Sequence, residues 1–244
     1  MAAVNVMGPR PMVLAAATQH HSSPPPPAAR PTFDIRPSQL RDDLQRAAWL
    51  RAEAYYENRS VGRFKQSFIK QFAGQELYAL LRRTQGASPQ CTALVASLEG
   101  SSLAGGPAGS EAGPGGCIGT LDVRLLDPSD PFASASWPDG VPLEPLTAAP
   151  AAAEAGAAAA YVSNVVVAPA QRGRGLGRRL VAAGLEAAQQ RWGAAQVYCH
   201  VEVDNEAALA LYRGSGFCQL GEELPPAEEG LAKRLLLCRQ LAEA

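Results

Sequence analysis

Several residue patterns that define large functional classes are scarce or absent in this chain of 244 residues. The formal net charge of −1 gives none of the basic excess expected of a nucleic-acid-binding protein. The five cysteines form no CxxC pair or metal-ligand pattern, and their odd number favours reduced, buried thiols in a non-secretory compartment over a disulfide framework. No apolar run is long enough to cross a bilayer. We therefore expect a soluble protein that uses no metal and binds neither nucleic acid nor membrane.

Acidic residues are missing from the first 33 positions of the chain. Arg10 and Arg30 supply positive charge there, and four consecutive prolines at 24–27 argue against a folded element. An acid-free, basic, alanine-rich start is typical of an organelle transit peptide, so residues 1–31 are predicted to be a disordered targeting segment. A disordered tail with no targeting role is the alternative. The chloroplast is the expected destination, and the sparse serine keeps the mitochondrion as an alternative.

The hydrophobic pattern over 32–241 predicts one α/β domain with a mixed sheet and helices on both faces. Predicted helices cover 38–57 (with Ser38 as the N-cap), 64–83, 175–191 and 205–213. Predicted strands cover 32–37, 91–100, 117–126, 160–168, 194–203, 217–223 and 232–241, and the second and third of these are expected to pair antiparallel, as are the last two. Segments rich in glycine, proline and alanine at about 100–116 and 127–158 are predicted to be flexible insertions that carry no chemistry.

The stretch QRGRGLGR, residues 171–178, follows an apolar strand and opens a helix. A glycine costs about 1 kcal/mol relative to alanine inside a helix, so three at alternate positions need a physical reason. The first turn of a helix presents unpaired N–H groups and a positive dipole end, and glycines let a phosphate approach the main chain. With three arginines nearby, the stretch predicts a polyphosphate or pyrophosphate site. Close packing of the helix is the alternative explanation.

Two common phosphate-binding motifs do not fit this stretch. A Walker A loop requires GxxxxGK[ST], and neither Lys-Ser nor Lys-Thr follows the glycines. The Rossmann fingerprint GxGxxG also fails, because Gly173, Gly175 and Gly177 have the spacing GxGxG. A phosphate bound at this stretch would therefore belong to another class of ligand.

Two motifs carry a family resemblance. RGRGLG at 172–177 resembles R/Q-x-x-G-x-G/A, the acyl-CoA pyrophosphate motif of the GNAT N-acetyltransferase superfamily, and NEAALALYRGSGF at 205–217 resembles that family's N-x-x-A-x-x-L-Y-x-x-x-G-F. The resemblance covers about 32–241, tightly over 160–218, and is strongest to the plastid GNATs of plants and algae, which acetylate protein N-termini and lysines. It implies the GNAT fold, with a mixed, mostly antiparallel sheet whose central strands splay apart, and acetyl-CoA as cosubstrate.

The same resemblance implies which residues hold acetyl-CoA. The pantetheine arm would lie between the splayed strands, and the amide of Val166 or Val167 would face the thioester carbonyl and stabilise developing negative charge there. Asn205 would hydrogen-bond the pantetheine arm, although an asparagine at this position also suits a helix cap. The implied binding residues are Val165, Val166, Val167, Arg172, Gly173, Arg174, Gly175, Leu176, Gly177, Arg178, Asn205 and Tyr212.

The catalytic groups are also implied by the resemblance. Tyr212, two helical turns after Asn205, would protonate the departing CoA thiolate, since phenol and thiol have similar pKa values; a tyrosine packed on the sheet is the alternative. His200 stands where some protein N-terminal acetyltransferases carry a catalytic histidine and others a glutamate. Side chains alternate along a strand, so His200 shares its face with Tyr198 and Glu202. His200, Glu202 and an ordered water are the candidates for the base that accepts the amine proton.

Acceptor choice is expected to depend on two loops, residues 58–63 and 221–230. The second loop and the first helix are acidic, which would favour a cationic amine, although an acidic loop is also simply well solvated. The glutamates concerned are Glu53, Glu57, Glu222, Glu223, Glu228 and Glu229. The leading expectation is a monomeric or weakly dimeric N-acetyltransferase for a protein N-terminal α-amine or a lysine. An arylalkylamine or polyamine N-acetyltransferase and an inactive acyl-CoA-binding module are the alternatives.

Overall fold

The computed structural model describes residues 32–85, 90–98, 116–126, 158–223 and 233–241, all within one unit of the chain, Pro31–Ala244. Its elements are β1 (Phe33–Pro37), α1 (Arg41–Tyr55), α2 (Lys65–Thr84), β2 (Cys91–Leu98), β3 (Gly119–Leu126), β4 (Ala159–Val167), α3 (Leu176–Trp192), β5 (Gln196–Glu202), α4 (Glu206–Gly214), β6 (Cys218–Glu223) and β7 (Arg234–Gln240). Every predicted helix and strand is present. The targeting segment at 1–31 and almost all of the two insertions lie outside the described residues and stay predictions.

The seven strands form one sheet in the order β1-β2-β3-β4-β5-β7-β6. All neighbouring strands are antiparallel except β4 and β5, which are parallel. The β4–β5 ladder covers only three residue pairs, from Ala159–Gln196 to Tyr161–Tyr198, whereas β4 pairs with β3 from Ala159 to Val167. The two central strands therefore separate after Tyr161 and leave a gap, which confirms the predicted mixed sheet with splayed central strands.

Helices cover both faces of the sheet, as the hydrophobic pattern predicted. Alternate residues of β2 show the two sides: Ala93 and Val95 pack with α1 and α2, whereas Leu94 and Ala96 pack with α3. We call these the α1/α2 face and the α3/α4 face. The main apolar core lies on the α3/α4 face, where fully buried residues include Leu121, Leu180, Val197 and Leu237. Within the described ranges, each helix is too short or too polar to traverse a bilayer.

The start of α1 differs from the prediction. Ser38, the expected N-cap, donates its backbone N–H to the carbonyl oxygen of Ala93 at 2.8 Å and so extends the pairing of β1 with β2. The helix begins at Arg41, and the Asp43 carboxylate accepts hydrogen bonds from the backbone N–H groups of Gln39 and Leu40 at 3.2 and 3.4 Å. The prediction of Ser38 as the N-cap was wrong, because Ser38 takes part in strand pairing. The Asp43 carboxylate in the first turn of α1 accepts hydrogen bonds from the N–H groups that precede the helix.

Candidate active site

The turn between β4 and α3 has open main chain directly before a helix. Gly173 and Gly175 have φ angles of +74° and +85°, in the left-handed region that favours glycine, and α3 begins one residue after Gly175. A Cβ added at either glycine would meet no atom within 4 Å. Conformation rather than crowding therefore requires these two glycines. The first N–H groups of α3, which have no partner within the helix, start beside this open segment.

Gly177 has different surroundings from the two glycines before it. A Cβ at Gly177 would lie 3.4 Å from Cδ2 of Leu211 on α4 and 3.8 Å from Cγ2 of Val167 on β4. These are ordinary van der Waals distances, so a Cβ would fit between α3 and these two elements. Close packing, the alternative explanation for the glycine-rich stretch, therefore requires none of its three glycines.

The three arginines of the turn have different surroundings. Arg172 donates Nε–H to the Val167 carbonyl oxygen at 3.1 Å, and its guanidinium donates two hydrogen bonds to the Glu57 carboxylate at 3.0 and 2.6 Å. The bond from Arg172 is the main cause that lowers the pKa of Glu57. Arg178 reaches towards α4, with Nη2 only 2.9 Å from where a Cβ of Gly214 would be, while Arg174 is exposed at the turn. The pair Arg172–Glu57 therefore connects the turn to the segment that follows α1.

A bulge interrupts β4 just before the predicted thioester-binding residues. Asp122 pairs with Ser163 and Thr120 pairs with Val166, so two residues of β4, Asn164 and Val165, lie opposite the single residue between them on β3. Asn164 has a φ of +53°, and among the described residues it is the one non-glycine in the left-handed region. The bulge redirects the main chain that leads to Val167 beside the gap. Sequence reasoning missed Asn164, although an asparagine inside the apolar run YVSNVVV was an available signal.

Asn205 caps the helix that it precedes. Its Oδ1 accepts a hydrogen bond from the Ala208 backbone N–H at 3.0 Å, which satisfies one of the unpaired donors at the start of α4. The capping role that the sequence left open is thus present. The Nδ2 group of the same amide is a hydrogen-bond donor that the cap does not use. The predicted bond from Asn205 to the pantetheine arm is therefore compatible with the cap and stays a prediction.

Tyr212 is buried between α4 and the sheet. Its ring meets that of Phe217 edge to face, with centroids 5.2 Å apart. The Phe217 N–H donates to the Tyr212 carbonyl oxygen at 3.0 Å, and Gly216, with a φ of +83°, makes the intervening turn. The turn at Gly216, which follows the end of α4, therefore brings the Phe217 ring into contact with the Tyr212 ring.

Burial raises the pKa of Tyr212 well above its ordinary value, and Cys199 and Tyr161 add smaller contributions in the same direction. These two neighbours lie on β5 and β4, on either side of the gap. The phenol is therefore protonated at neutral pH, as a proton donor must be before it acts. Its acidity no longer matches that of a thiol in water, so transfer depends on the thiolate forming in the same low-dielectric surroundings, where the pKa of the thiol also rises.

His200 and Tyr161 are brought together on the α1/α2 face. Nδ1 of His200 lies 2.9 Å from Oη of Tyr161, the last residue of β4 that pairs with β5. Burial raises the pKa of Tyr161, an effect that the His200 backbone N–H partly offsets, so the phenol keeps its proton at neutral pH. The sequence analysis missed Tyr161, because its distance of 39 positions from His200 hides the contact.

Glu202, the other candidate base, is exposed at the end of β5 opposite Arg234 of β7, whereas His200 is half-buried at the gap. The structure thus places the candidate acid, Tyr212, on the α3/α4 face and the candidate bases on the α1/α2 face. Part of the acidic loop, including Glu228 and Glu229, lies outside the described residues. Among the residues that the structure describes, no cluster of three or more His, Cys, Asp or Glu side chains is placed to hold a metal ion.

Comparisons with known proteins show which family this chain belongs to. Residues 132–217 match the model of the acetyltransferase (GNAT) family. GCN5-related N-acetyltransferase 7, chloroplastic, of Arabidopsis thaliana is 30% identical over 204 residues, which cover 78% of this chain and 69% of that protein. GCN5-related N-acetyltransferase 6, chloroplastic, of the same plant is 29% identical over 187 residues, which cover 76% of this chain and 61% of the relative. This chain therefore spans about two thirds of the length of these relatives.

One solved structure illustrates the likeness of fold. The crystal structure of Arabidopsis thaliana NAA60 in complex with acetyl-CoA superposes with a TM-score of 0.51 at 15% sequence identity, covering 86% of this chain and 99% of that one. At this identity the likeness concerns the fold alone.

Proposed function

Because the chain belongs to the GNAT family of acetyltransferases, we propose that it transfers an acetyl group from acetyl-CoA to a protein amine, either an N-terminal α-amine or a lysine side chain. The observation that carries the proposal is the open sheet: β4 and β5 part after Tyr161, and the open main chain of Gly173 and Gly175 follows at the end of β4. A strand-shaped gap that leads to a helix N-terminus suits an extended thiol arm joined to a pyrophosphate.

The residues around the gap fit the parts of acetyl-CoA. The main chain of 165–167 would pair with the pantetheine arm, and the N–H of Val166 or Val167 would donate to the thioester carbonyl oxygen. The main chain of 173–178 would hold the pyrophosphate with help from Arg174, while Arg172 would have to leave Glu57 to do the same. Asn205 would donate from Nδ2. When bound, acetyl-CoA supplies an acyl group on a good leaving thiolate.

Proton transfer needs one donor and one acceptor. Tyr212 gives its phenolic proton to the sulfur as the carbon–sulfur bond breaks. On the other side of the gap, Tyr161 takes the proton of the attacking amine at Oη and passes its own proton to Nδ1 of His200, which becomes an imidazolium. The contact between Tyr161 and His200 favours this route over Glu202, which is exposed at the end of the strand. An ordered water between the amine and Tyr161 would carry the same proton.

The acceptor and the compartment are parts of the same proposal. The glutamates Glu53 and Glu57 near the end of α1 would favour a cationic amine. The word chloroplastic in the names of both relatives and the acid-free N-terminal segment support a chloroplast location. An arylalkylamine or polyamine acceptor would use the same machinery, so the choice between peptide and small amine needs an assay.

Calorimetry followed by acceptor profiling tests the proposal. The full chain is titrated with acetyl-CoA and, as a control, with acetyl-pantetheine, which lacks the pyrophosphate. We expect heat with acetyl-CoA and at least tenfold weaker binding of acetyl-pantetheine. Acetyl transfer is then measured with a peptide library, a polyamine and an arylalkylamine. Absence of heat with acetyl-CoA would refute the proposed site, and transfer to small amines alone would refute the protein acceptor.

A further inference from the structure

A group of charged side chains centred on the buried Arg51 and Asp122 lies beside the β4 bulge, between the sheet and helices α1 and α2. It contains two guanidinium groups and two carboxylates, so its charges balance. Its members are Arg51 of α1, Glu76 and Arg83 of α2, and Asp122 of β3, joined by the hydroxyl of Thr120 and the amide of Asn164. The catalytic steps described above use none of these side chains.

Asp122 is the centre of this group and accepts hydrogen bonds from three residues. Arg51 donates to both carboxylate oxygens, at 2.7 and 2.9 Å, and Arg83 donates to Oδ2 at 3.4 Å. Arg51 and Asp122 are only 5% and 2% exposed. Burial by itself would raise the pKa of Asp122, but the charge and hydrogen bonds of Arg51 outweigh it and hold the pKa below its ordinary value. Asp122 is therefore a carboxylate held in place by α1 and α2.

The third donor to Asp122 comes from the bulge itself. Nδ2 of Asn164 donates to Oδ2 of Asp122 at 3.0 Å. Asn164 thus combines a left-handed main chain with a side chain that is hydrogen-bonded to a buried carboxylate. Residues outside the favoured regions persist where their surroundings hold them, and they concentrate at functional sites. The main chain that Asn164 redirects continues into Val165, Val166 and Val167 beside the gap.

We propose that Asn164 and Asp122 are positioning residues for acetyl transfer. Asp122 fixes the Asn164 amide, Asn164 fixes the bulge, and the bulge sets the direction in which the N–H groups of Val166 and Val167 point. Through Arg51 and the α2 residues, the helices on the acceptor side are tied to the strand that holds the donor. This inference rests on the proposed function, because it assigns a purpose to the bulge in that reaction.

Substitutions at Asn164 separate the main-chain conformation from the side-chain bond. Asn164→Ala removes the bond to Asp122 and disfavours the left-handed φ, so we expect kcat to fall at least tenfold. Asn164→Gly removes the same bond but adopts that φ readily, so its loss should be smaller, about threefold. The dissociation constant of acetyl-CoA, measured by calorimetry, should rise by a smaller factor than kcat falls in both variants, because the pyrophosphate turn is untouched and only the pantetheine contacts depend on the bulge.

Reversing the pair gives a rescue experiment. Asn164→Asp places a second carboxylate against Asp122, and we expect a larger loss of kcat than in Asn164→Ala. Adding Asp122→Asn to that variant restores one amide and one carboxylate in contact. Recovery of kcat by at least threefold over Asn164→Asp is the expected result. If kcat does not recover, the hydrogen bond between residues 122 and 164 is not the contact on which kcat depends, and the inference is contradicted.

Glu76→Gln is the matched control. Glu76 accepts from Arg51 at 2.8 Å and from Arg83 at 3.2 Å, yet it does not contact Asn164. This variant should lower the melting temperature as much as Asn164→Ala does while leaving kcat within twofold of wild type. A loss of kcat in Glu76→Gln equal to that in Asn164→Ala would reduce the whole group to a stabilising role and overturn the inference.

Two failures remain distinguishable. A wild-type chain that transfers acetyl to none of the tested amines would refute the proposed function and this inference with it. An active wild-type chain with an Asn164→Ala variant of equal kcat would refute this inference alone.

Discussion

The two faces of the sheet bury different kinds of side chain. On the α3/α4 face the buried side chains are mainly aliphatic, as at Leu180 and Leu237, and the helices pack through leucine and alanine. On the α1/α2 face the buried set includes Arg51, Thr120 and Asp122, joined by direct hydrogen bonds. One face therefore excludes water with apolar area alone, and the other combines an apolar cluster with a group of ionic partners.

This difference assigns separate tasks to the two faces. Apolar contacts are non-directional, so the α3/α4 face can hold α3 firmly while leaving the main chain at its N-terminus open. Hydrogen-bonded charges are directional, so the α1/α2 face can hold β4 in an irregular conformation at Asn164. In the proposed reaction the apolar face presents the phenol of Tyr212 and the polar face presents His200 with Tyr161. The gap between β4 and β5 is where the two sides meet.

The largest expected effect comes from removing one charge of the polar face. Asp122→Ala leaves the Arg51 guanidinium buried without its main partner, and we expect the free energy of unfolding to fall by about 3–5 kcal/mol. Leu180→Ala on the apolar face should cost about 2–5 kcal/mol. Denaturant unfolding at neutral pH measures both. A loss below about 1 kcal/mol for Asp122→Ala would mean that the ion pairs are dispensable.

Acid separates the same two variants further. The pKa of Asp122 is lowered in the folded state from its ordinary value of 3.8, so its contribution to stability is present above that value and is lost as the pH falls through the folded pKa. Wild type and Leu180→Ala should share this loss below about pH 4, and Asp122→Ala should lack it. Equal acid dependence in all three proteins would contradict the assignment.

The next largest effect concerns the phenol on the apolar side. Tyr212→Phe keeps the ring against Phe217 and removes the hydroxyl, so kcat should fall by about a hundredfold while the melting temperature and the acetyl-CoA dissociation constant change little. Steady-state kinetics with calorimetry provide the measurement. Unchanged turnover would show that Tyr212 is a packing residue and no proton donor.

A smaller effect is expected from the polar side of the gap. His200→Ala should lower kcat by about ten- to a hundredfold and remove the acidic limb of the pH–rate profile, and Tyr161→Phe should change the same limb. Tyr198→Phe is the control, since Tyr198 pairs with Tyr161 in the sheet but donates its hydroxyl to Gln196. An acidic limb that survives in His200→Ala would exclude His200 as the base.

The smallest effect tests the turn that the apolar face holds in place. Gly175→Ala forces a left-handed alanine at a cost of about 1 kcal/mol, which would weaken acetyl-CoA binding by about fivefold if the turn tilts to relieve it. Gly193→Ala is the matched control, because Gly193 also has a positive φ, of +60°, with no atom within 4 Å of an added Cβ, at the opposite end of α3. Equal effects of the two variants on binding would remove the turn from the proposed site.

Local patterns in the sequence predicted the elements and their order, because each helix and strand carries its own period of apolar residues. The glycine turn was also predictable, since Gly173 and Gly175 are required by the conformation of their own residues. The two-sided packing followed from the same alternation along strands such as β2.

What sequence reasoning missed depends on contacts between distant positions. The Arg172–Glu57 pair spans 115 positions, and the Arg51–Asp122 pair spans 71. Ser38 was assigned to a helix cap because its strand partner, Ala93, lies far along the chain. No periodicity within one segment reveals such partners. The bulge at Asn164 likewise exists only relative to the residues of β3 that it faces.

The short β4–β5 ladder makes the fold two half-sheets, β1 to β4 and β5 to β7, joined through three residue pairs and spanned by the helices. In the proposed binding mode, the extended pantetheine arm would lie between β4 and β5 in the place of an eighth strand. A ligand bound in this way would supply hydrogen-bond partners to both strands. We therefore expect β4 and β5 to be more mobile in the protein without acetyl-CoA, and amide hydrogen exchange on these two strands to slow most when acetyl-CoA binds. In the proposed reaction, the cosubstrate would thus serve as one structural element of the sheet during each turnover.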